Sequence, residues 1–485
     1  MKLARLMPLF FAVVFVALPL SSAHAAARTM VFGTSGSDVG VLQSALMSKG
    51  YLSASATGYF GSLTLTAVKK FQCDSGIVCS GASWGVAGPQ TQAALELAGV
   101  ESAAVVGRKS SLEIGGWIPY WRNATGTQDV LPHLAAMTEI SPFVFTIKSD
   151  GTLHDNGPLT EEPWLSFIVA AKKAKVRVIP TVMWGNGDAI HAILSDTKKR
   201  IALEDAIAAM VREGGYDGVD IDFEAKHAET KDYFSTFLKG LYARMGPKWV
   251  YCSIEARMPV VERYGYGVTP PADATEYAND YVAINKYCDR VAIMTYDQGK
   301  ISALLNAARA APYVPVADPA WVENVINLAA QTISKKKLLI GVATYGYEYS
   351  VTPKGDGYQY KLLWAFNQGY ATQLAAQLGM APIRNSAGEL SFIYKSTPAT
   401  DALAAIASTP GSVTVSQTNT PPPPGEVYSQ RAIAGAIQPP FNIVWWSDAQ
   451  AIADKVALAR KLGVRGIAVF KFDGAEDQNI WGVLK

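Results

Sequence analysis

Histidine is scarce in this 485-residue chain, which has only five. His24 lies in an N-terminal segment read below as a leader. His133, His154, His191 and His227 are scattered, with no H-E-x-x-H pair and no Cys/His cluster, so the usual zinc-hydrolase layouts are excluded. Cysteine is rarer still: Cys73, Cys79, Cys252 and Cys288 have no metal-site spacing. Charge of one sign is also missing. With 43 Lys+Arg against 41 Asp+Glu, the formal net charge is +2, and no global field draws in nucleic acid. The 17% charged fraction is too low for a disordered chain, and the 49% hydrophobic fraction can fill a large core. Aromatics are plentiful, at 11 Trp, 22 Tyr and 17 Phe. Sugar rings offer apolar faces to aromatic planes, so this surplus fits a saccharide-binding surface as well as a large core. The length fits two or three domains, or one large barrel plus a module.

Long apolar runs are absent after the first twenty residues. Lys2 and Arg5 precede an apolar stretch from Leu6 to Leu20, followed by Ser21-Ser22-Ala23-His24-Ala25. A basic start, a short apolar run and an A-x-A site are the layout of a secretory signal peptide over residues 1–25. The run is about 15 residues, short of the about 20 that a membrane span needs. The expectation is a secreted, periplasmic or wall-associated protein with no membrane attachment after cleavage. In that compartment disulfides are possible. Cys73 and Cys79 enclose a short loop and are candidates to pair. Cys252 and Cys288, read on neighbouring strands, either pair or remain buried thiols.

Residues 29–100 read as a three-helix bundle. Ser37 or Asp38 caps a helix carrying Val39, Leu42 and Leu46, and Gly50 ends it. A second helix carries Leu65, Val68 and Phe71, and a third runs from Thr91 to Ala98. Gly81-Ala82-Ser83-Trp84-Gly85 fits the G-x-S-x-G pattern, but no strand leads into it, so it reads as a decoy. The pattern Asp38-Val39, Leu42-Gln43, Gly58-Tyr59-Phe60-Gly61, Phe71-Gln72 and Gly88-Pro89-x-Thr91 resembles the peptidoglycan-binding domain of cell-wall hydrolases. Residues 101–112 read as a linker.

From Glu113 to the end, short apolar strands alternate with helical stretches. The strands are Ile114–Tyr120, Glu139–Ile147, Val176–Val182, Gly218–Phe223, Trp249–Glu255, Arg290–Tyr296, Lys337–Thr344 and Gly466–Phe472. Between most of them lie amphipathic runs such as Trp164–Lys175, Asp196–Gly214, Lys231–Met245, Ala320–Lys335 and Ala449–Leu462. Eight such strands predict an α/β fold, a closed (β/α)8 TIM barrel over residues 113–485. A doubly wound sheet is the second choice, and no Gly-rich phosphate loop supports it. The gap before the last strand calls for an α+β insertion at about 346–445, which includes the run Pro421 to Pro424.

The fourth strand reads Asp217-Gly218-Val219-Asp220-Ile221-Asp222-Phe223-Glu224. Side chains alternate along a strand, so Asp220, Asp222 and Glu224 share one face and Val219, Ile221 and Phe223 the other. In a barrel the acids face the lumen, and Glu224 stands at the C-terminal mouth where barrel enzymes place their chemistry. Like charges that close cannot all ionise. A solvated acidic strand and a divalent-cation site are the other readings. Acid catalysis by a raised Glu224 explains the arrangement best.

D-G-x-D-x-D-x-E on such a strand resembles the signature of family 18 glycoside hydrolases, the chitinase-like family. Gly115–Trp121, Met294-Thr295-Tyr296-Asp297 and Gly341–Tyr347 are similar to that family's first, sixth and seventh strands. Asn442–Ala449, leading to Gly466-Ile467-Ala468, looks like the helix and strand that close its barrel. The most similar branch includes spore-cortex and cell-wall N-acetylglucosaminidases. Two departures stand out. Many members end the eighth strand near a Trp flooring the sugar site, where this chain has Lys471 or Phe472. The S-x-G-G after the third strand is Met183-Trp184-Gly185-Asn186-Gly187.

The resemblance implies substrate-assisted catalysis on a 2-acetamido sugar. Glu224 would be the acid and then the base. Asp222 would hold the acetamido N–H, Asp220 would share its charge or proton, and Tyr296 would bond the acetamido carbonyl. Asp217 reads as structural. Tyr120, Trp121, Trp184, Asp297, Tyr345 and Phe472 are candidate cleft residues. No metal or other cofactor is expected. The expected partner is a polysaccharide, peptidoglycan or chitin, bound by a monomer. A non-catalytic lectin is the reading from another class, and the presence of Glu224 argues against it.

Overall fold

The computed structural model describes residues 29–34, 37–53, 60–81, 83–95, 112–354, 357–395, 397 and 440–484. The leader, most of the linker and the proline run lie outside these residues. The chain divides into two units, Met1–Ser110 and Ser111–Lys485.

In the first unit, helices Ser37–Ser48, Ser62–Asp74 and Pro89–Ala94 enclose Val39, Leu42, Leu46, Phe60, Val68 and Phe71. Cys73 and Cys79 form a disulfide. The buried Gln72 amide ties the following loop to the second helix. Its Nε2 donates to the Val86 carbonyl and the Thr91 hydroxyl, both at 2.9 Å, and its Oε1 accepts from the Gly85 N–H at 2.7 Å. Ser83 sits in the turn that Gln72 fastens, and no strand precedes it among the described residues, as a nucleophile elbow would require.

Among the described residues the second unit has fifteen strands. Those before the insertion are β1 Glu113–Pro119, β2 Glu139–Ile147, β3 Leu153–Asp155, β4 Arg177–Val178, β5 Thr181–Trp184, β6 Gly218–Phe223, β7 Trp249–Glu255, β8 Arg290–Met294 and β9 Leu338–Ala343. The insertion supplies β10 Tyr345–Lys354, β11 Gly357–Asn367, β12 Ile383–Arg384, β13 Leu390–Tyr394 and β14 Phe441–Trp446. β15 Gly466–Phe470 completes the set. Strands β1, β2, β5, β6, β7, β8, β9 and β15 pair in parallel in that order, and β15 returns to β1, closing an eight-stranded barrel. Helices such as Lys231–Met245 and Ala449–Leu462 cover it. Val219, Ile221, Phe223, Val250, Ile254, Ile340 and Ile467 face those helices in the main core. Trp117, Ile179, Tyr251, Ala292, Leu339 and Ala468 fill the lumen.

Three details depart from expectation. The third barrel strand is not continuous over Val176–Val182: it breaks at Ile179-Pro180, where proline offers no N–H to the ladder. Cys288 is not on a strand. It ends the helix Tyr281–Tyr287 and forms a disulfide with Cys252 of β7. Residues Asn442–Trp446 do not begin the closing helix. They lie in β14, and the helix starts at Ala449.

Among the described residues the insertion is a five-stranded antiparallel sheet, ordered β11-β10-β14-β13-β12, with the helix Gln368–Gln377 on it. Two buried carboxylates hold it. Glu348 accepts from Trp364 Nε1 at 3.0 Å, the Tyr370 hydroxyl at 2.7 Å, the Tyr394 hydroxyl and Asn442 Nδ2 at 3.0 Å. Glu389 accepts from Trp445 Nε1 at 2.6 Å and from the Val316 and Ala317 N–H groups at 2.9 Å, and pairs with Lys455 of the barrel's last helix at 3.5 Å. Lys455 is also buried. Removing one member of a buried pair leaves the other charge unpaired, so Glu389→Gln is expected to destabilise the second unit by about 3–5 kcal/mol, read as a lower urea midpoint.

Candidate active site

β6 carries the acid row. Its alternation puts Asp220 and Asp222 into the lumen beside Thr181 and Met183 of β5 and Tyr251 and Ser253 of β7. Asp220 has no exposed surface. Three donors surround it: Trp117 Nε1 and Thr181 Oγ1 each reach Oδ2 at 2.8 Å, and Ser253 Oγ reaches Oδ1 at 2.8 Å. Burial pushes its pKa up to about 6, against the pull of those donors. Asp222 is buried as well, but its Oδ1 has no hydrogen-bond partner among the described residues. Burial, and then the Asp220 and Glu224 charges, raise its pKa well above the usual range. The proton shared by this pair therefore resides on Asp222, because Asp220 has the donors that stabilise a carboxylate.

Glu224 follows the last residue of β6 and is half-buried. Its backbone N–H donates to the Trp184 carbonyl at 2.8 Å. Its pKa is raised, first by burial and then by the Glu255 charge, while Lys226 opposes the shift. The next residue, Ala225, has φ +54°, a left-handed conformation, and its N–H donates to Glu255 Oε1 at 3.0 Å. Glu255 Oε2 accepts from Asn279 Nδ2 at 2.7 Å and pairs with the buried Lys226 at 3.5 Å. Lys226 also donates to the Phe223 carbonyl.

Tyr296 closes the other side. It is buried, its ring stacks on Phe470 at 5.8 Å, and its hydroxyl has no hydrogen-bond partner among the described residues. Burial and the neighbouring Asp222 charge raise its pKa, so it stays a donor. Asp297 has φ +60° and accepts from the Tyr345 hydroxyl at 2.7 Å and the Tyr347 hydroxyl at 2.5 Å.

The structure thus gathers Asp220, Asp222, Glu224, Tyr296, Asp297 and Tyr345. It separates others. Trp184 faces outward, edge-on to Phe223 at 5.5 Å, because Met183 takes the lumen position of β5. Phe472 is wholly buried and stacked on Trp481 at 5.0 Å, and Phe470 stands beside Tyr296 in its place. Tyr120 packs half-buried against the outer core. Trp121 is 51% exposed and meets Phe143 of the lumen at 5.8 Å. Sequence reasoning missed Glu255, Lys226, Phe470 and Tyr347. Strand alternation could have found Glu255, since Tyr251 and Ser253 share its face. Among the described residues no group of three His, Cys, Asp or Glu is placed to hold a metal ion.

Comparison with known proteins matches residues 35–95 to the peptidoglycan binding domain family and residues 116–475 to glycosyl hydrolases family 18. Among curated relatives, the glycosylase YvbX of Bacillus subtilis is 22% identical over 222 residues, 44% of this chain and 58% of that protein. Di-N-acetylchitobiase of Mus musculus is 28% identical over 217 residues, 42% of this chain and 51% of that protein. The chain spans about half the length of these two relatives. The spore cortex-lytic enzyme SleL of Bacillus cereus shares the fold with TM-score 0.55 at 17% identity, over 77% of this chain and 73% of that one. A chitinase of Chromobacterium violaceum does so with TM-score 0.54 at 18% identity, over 77% and 98%. With its parallel eight-stranded barrel, the acid row on β6 and a family match from 116 to 475, the chain belongs to glycosyl hydrolases family 18.

Proposed function

We propose that this glycosidase is secreted and cuts β-linked N-acetylhexosamine bonds in peptidoglycan with retention of configuration. The observation that carries this reading is the contrast within the acid row: Asp220 is saturated with donors, Asp222 has a buried oxygen without a partner, and Glu224 has a raised pKa at the mouth. A 2-acetamido group supplies what Asp222 and Tyr296 lack. Its N–H hydrogen-bonds to Asp222, and its carbonyl oxygen accepts from the Tyr296 hydroxyl.

Glu224 gives its proton to the glycosidic oxygen as the C1–oxygen bond breaks. The acetamido oxygen attacks C1 and forms an oxazolinium ion. Asp222 holds the N–H as positive charge develops, and the charge on Asp220 favours that form. Glu224, now a carboxylate, takes a proton from water as the water attacks C1, and the oxazolinium ring opens. The reaction needs no second carboxylate as nucleophile.

The peptidoglycan-binding module favours peptidoglycan over other 2-acetamido glycans and supports a location at the cell wall. The A-x-A leader supports export. Chitin is the second reading, favoured by the partial relationship to di-N-acetylchitobiase and by the fold shared with chitinases.

Replacing Glu224 by Gln is expected to cut reducing-end release from purified peptidoglycan by about 10²-fold or more, and unchanged release sinks the mechanism. Trp117→Phe removes a donor to the charged form of Asp220 and so raises its pKa. Because catalysis needs the charge on the pair, the acid limb of the kcat/KM profile moves to higher pH, by about one unit. A chain beginning at residue 112 is expected to lose pull-down on insoluble peptidoglycan while keeping activity on soluble oligomers. Equal recovery with and without the module contradicts its anchoring role.

A further inference from the structure

A second cavity opens beside the acid. A pocket of about 210 Å³, lined by Lys226, Glu255, Arg257, Tyr277, Asn279 and Tyr281, adjoins one of about 580 Å³ that shares the last four of these residues. The larger part adds Glu229, Lys231 and Asp280, and Glu276 lines both. The cavity's link to the site is direct, because its lining residue Glu255 accepts from the N–H of Ala225, the residue after Glu224, at 3.0 Å and pairs with Lys226 at 3.5 Å.

Two polar atoms in this pocket lack a partner among the described residues. Asn279 is 9% exposed and spends its Nδ2 on Glu255, but its Oδ1 bonds nothing. Tyr281 is 6% exposed, and its hydroxyl bonds nothing. A buried polar atom without a partner costs about 1–3 kcal/mol, and such atoms at the wall of a cavity mark a place that a ligand completes. Between them lies Arg257. Its guanidinium is 3.7 Å from the Tyr277 ring centroid and 4.1 Å from that of Tyr281. One Nη2 bond, to the Asn279 carbonyl at 2.5 Å, holds it there. Its remaining N–H groups have no partner among the described residues.

This lining wants a particular chemistry. Asn279 Oδ1 accepts, so it needs an N–H or O–H. Arg257 and Tyr281 donate, so they need a carbonyl or carboxylate. The wall carries charges of both signs, being lined by Lys231 and Arg257 as well as Glu229, Glu276 and Asp280. A neutral sugar chain offers no ionic partner to such a wall. A short peptide, with amide N–H and C=O groups and both an ammonium and a carboxylate, matches it throughout.

Resting on the peptidoglycan reading above, we propose that this pocket binds the peptide carried by peptidoglycan sugars, so that the enzyme prefers peptide-bearing strands to bare ones. Arg257, Asn279 and Tyr281 are then specificity-determining residues outside the acid row.

The test uses the full chain and two matched substrates: soluble glycan strands with tetrapeptides, and the same strands stripped of peptide by an amidase. Chitin oligomers form a third arm. The wild-type protein is expected to show a higher kcat/KM on peptide-bearing strands. In Arg257→Ala the ratio of the two kcat/KM values is expected to fall about tenfold, mostly through KM. Tyr281→Phe removes only the unpartnered hydroxyl, keeps the ring under Arg257, and is expected to lower the same ratio without lowering Tm. Equal wild-type kcat/KM on both strands overturns the pocket assignment and leaves the proposed function standing. A ratio unmoved in both variants does the same. Cleavage of chitin oligomers with neither strand cut overturns both.

Discussion

Two carboxylates two residues apart on one buried strand face cannot both be charged in a low-dielectric lumen. The barrel answers this on one side only. Asp220 receives donors from β1, β5 and β7, so the solvation it loses to burial is replaced by three fixed dipoles. Trp117 serves twice there, filling the lumen with its ring and holding Asp220 with its Nε1. Asp222 receives none on its buried Oδ1 among the described residues, and a third acid stands above it at the mouth. The result is a charge that is anchored low in the barrel and a proton held high, next to where substrate enters. That ordering depends on strand alternation and on register across neighbouring strands, since a one-residue slip would turn every acid toward the helices.

The treatment of other buried carboxylates sharpens the point. Glu348 and Glu389 have donors on both oxygens, and Glu113, at the opposite end of the lumen, pairs with Arg290 and Arg465. These groups are structural fasteners, and each is satisfied. Among the described residues Asp222, in the acid row with Glu224, retains a buried oxygen without a partner, and Asn279 and Tyr281 do so in the pocket that Glu255 lines.

Much of this was legible from spacing. The eight barrel strands, the helices Lys231–Met245 and Ala449–Leu462, and the shared face of the acids all follow from periods of two and 3.6 residues. The errors are errors of phase. Trp184 is one residue from the lumen position that Met183 takes. Phe472 lies two beyond Phe470, past the end of β15, where alternation no longer predicts a direction. Asn442–Trp446 was ambiguous because a short apolar run fits a buried strand as well as a helix. Arg257, Asn279 and Tyr281 were out of reach, since irregular chain and a seven-residue helix bring them together and no period governs their directions.

The tyrosine surplus finds part of its meaning in the same rule. Tyr345, Tyr347 and Tyr349 lie on β10, and their rings follow one another at 5.6 and 6.0 Å before reaching Tyr360 of β11 at 6.1 Å. Only Thr344 separates β9 of the barrel from β10 of the insertion, and its hydroxyl donates to the Lys471 carbonyl at 2.7 Å at the end of β15. The insertion is therefore not a lobe on a flexible stalk. A barrel strand runs almost directly into its edge hairpin, β10–β11, and the Glu389 bonds fix its far side to the barrel. The tyrosine row is held to the mouth as firmly as the acids are, because both are carried by strands of one continuous framework. Positioning by strands rather than loops suits the proposed reaction, in which the substrate's own acetamide is the nucleophile and the protein's main task is to hold the sugar still.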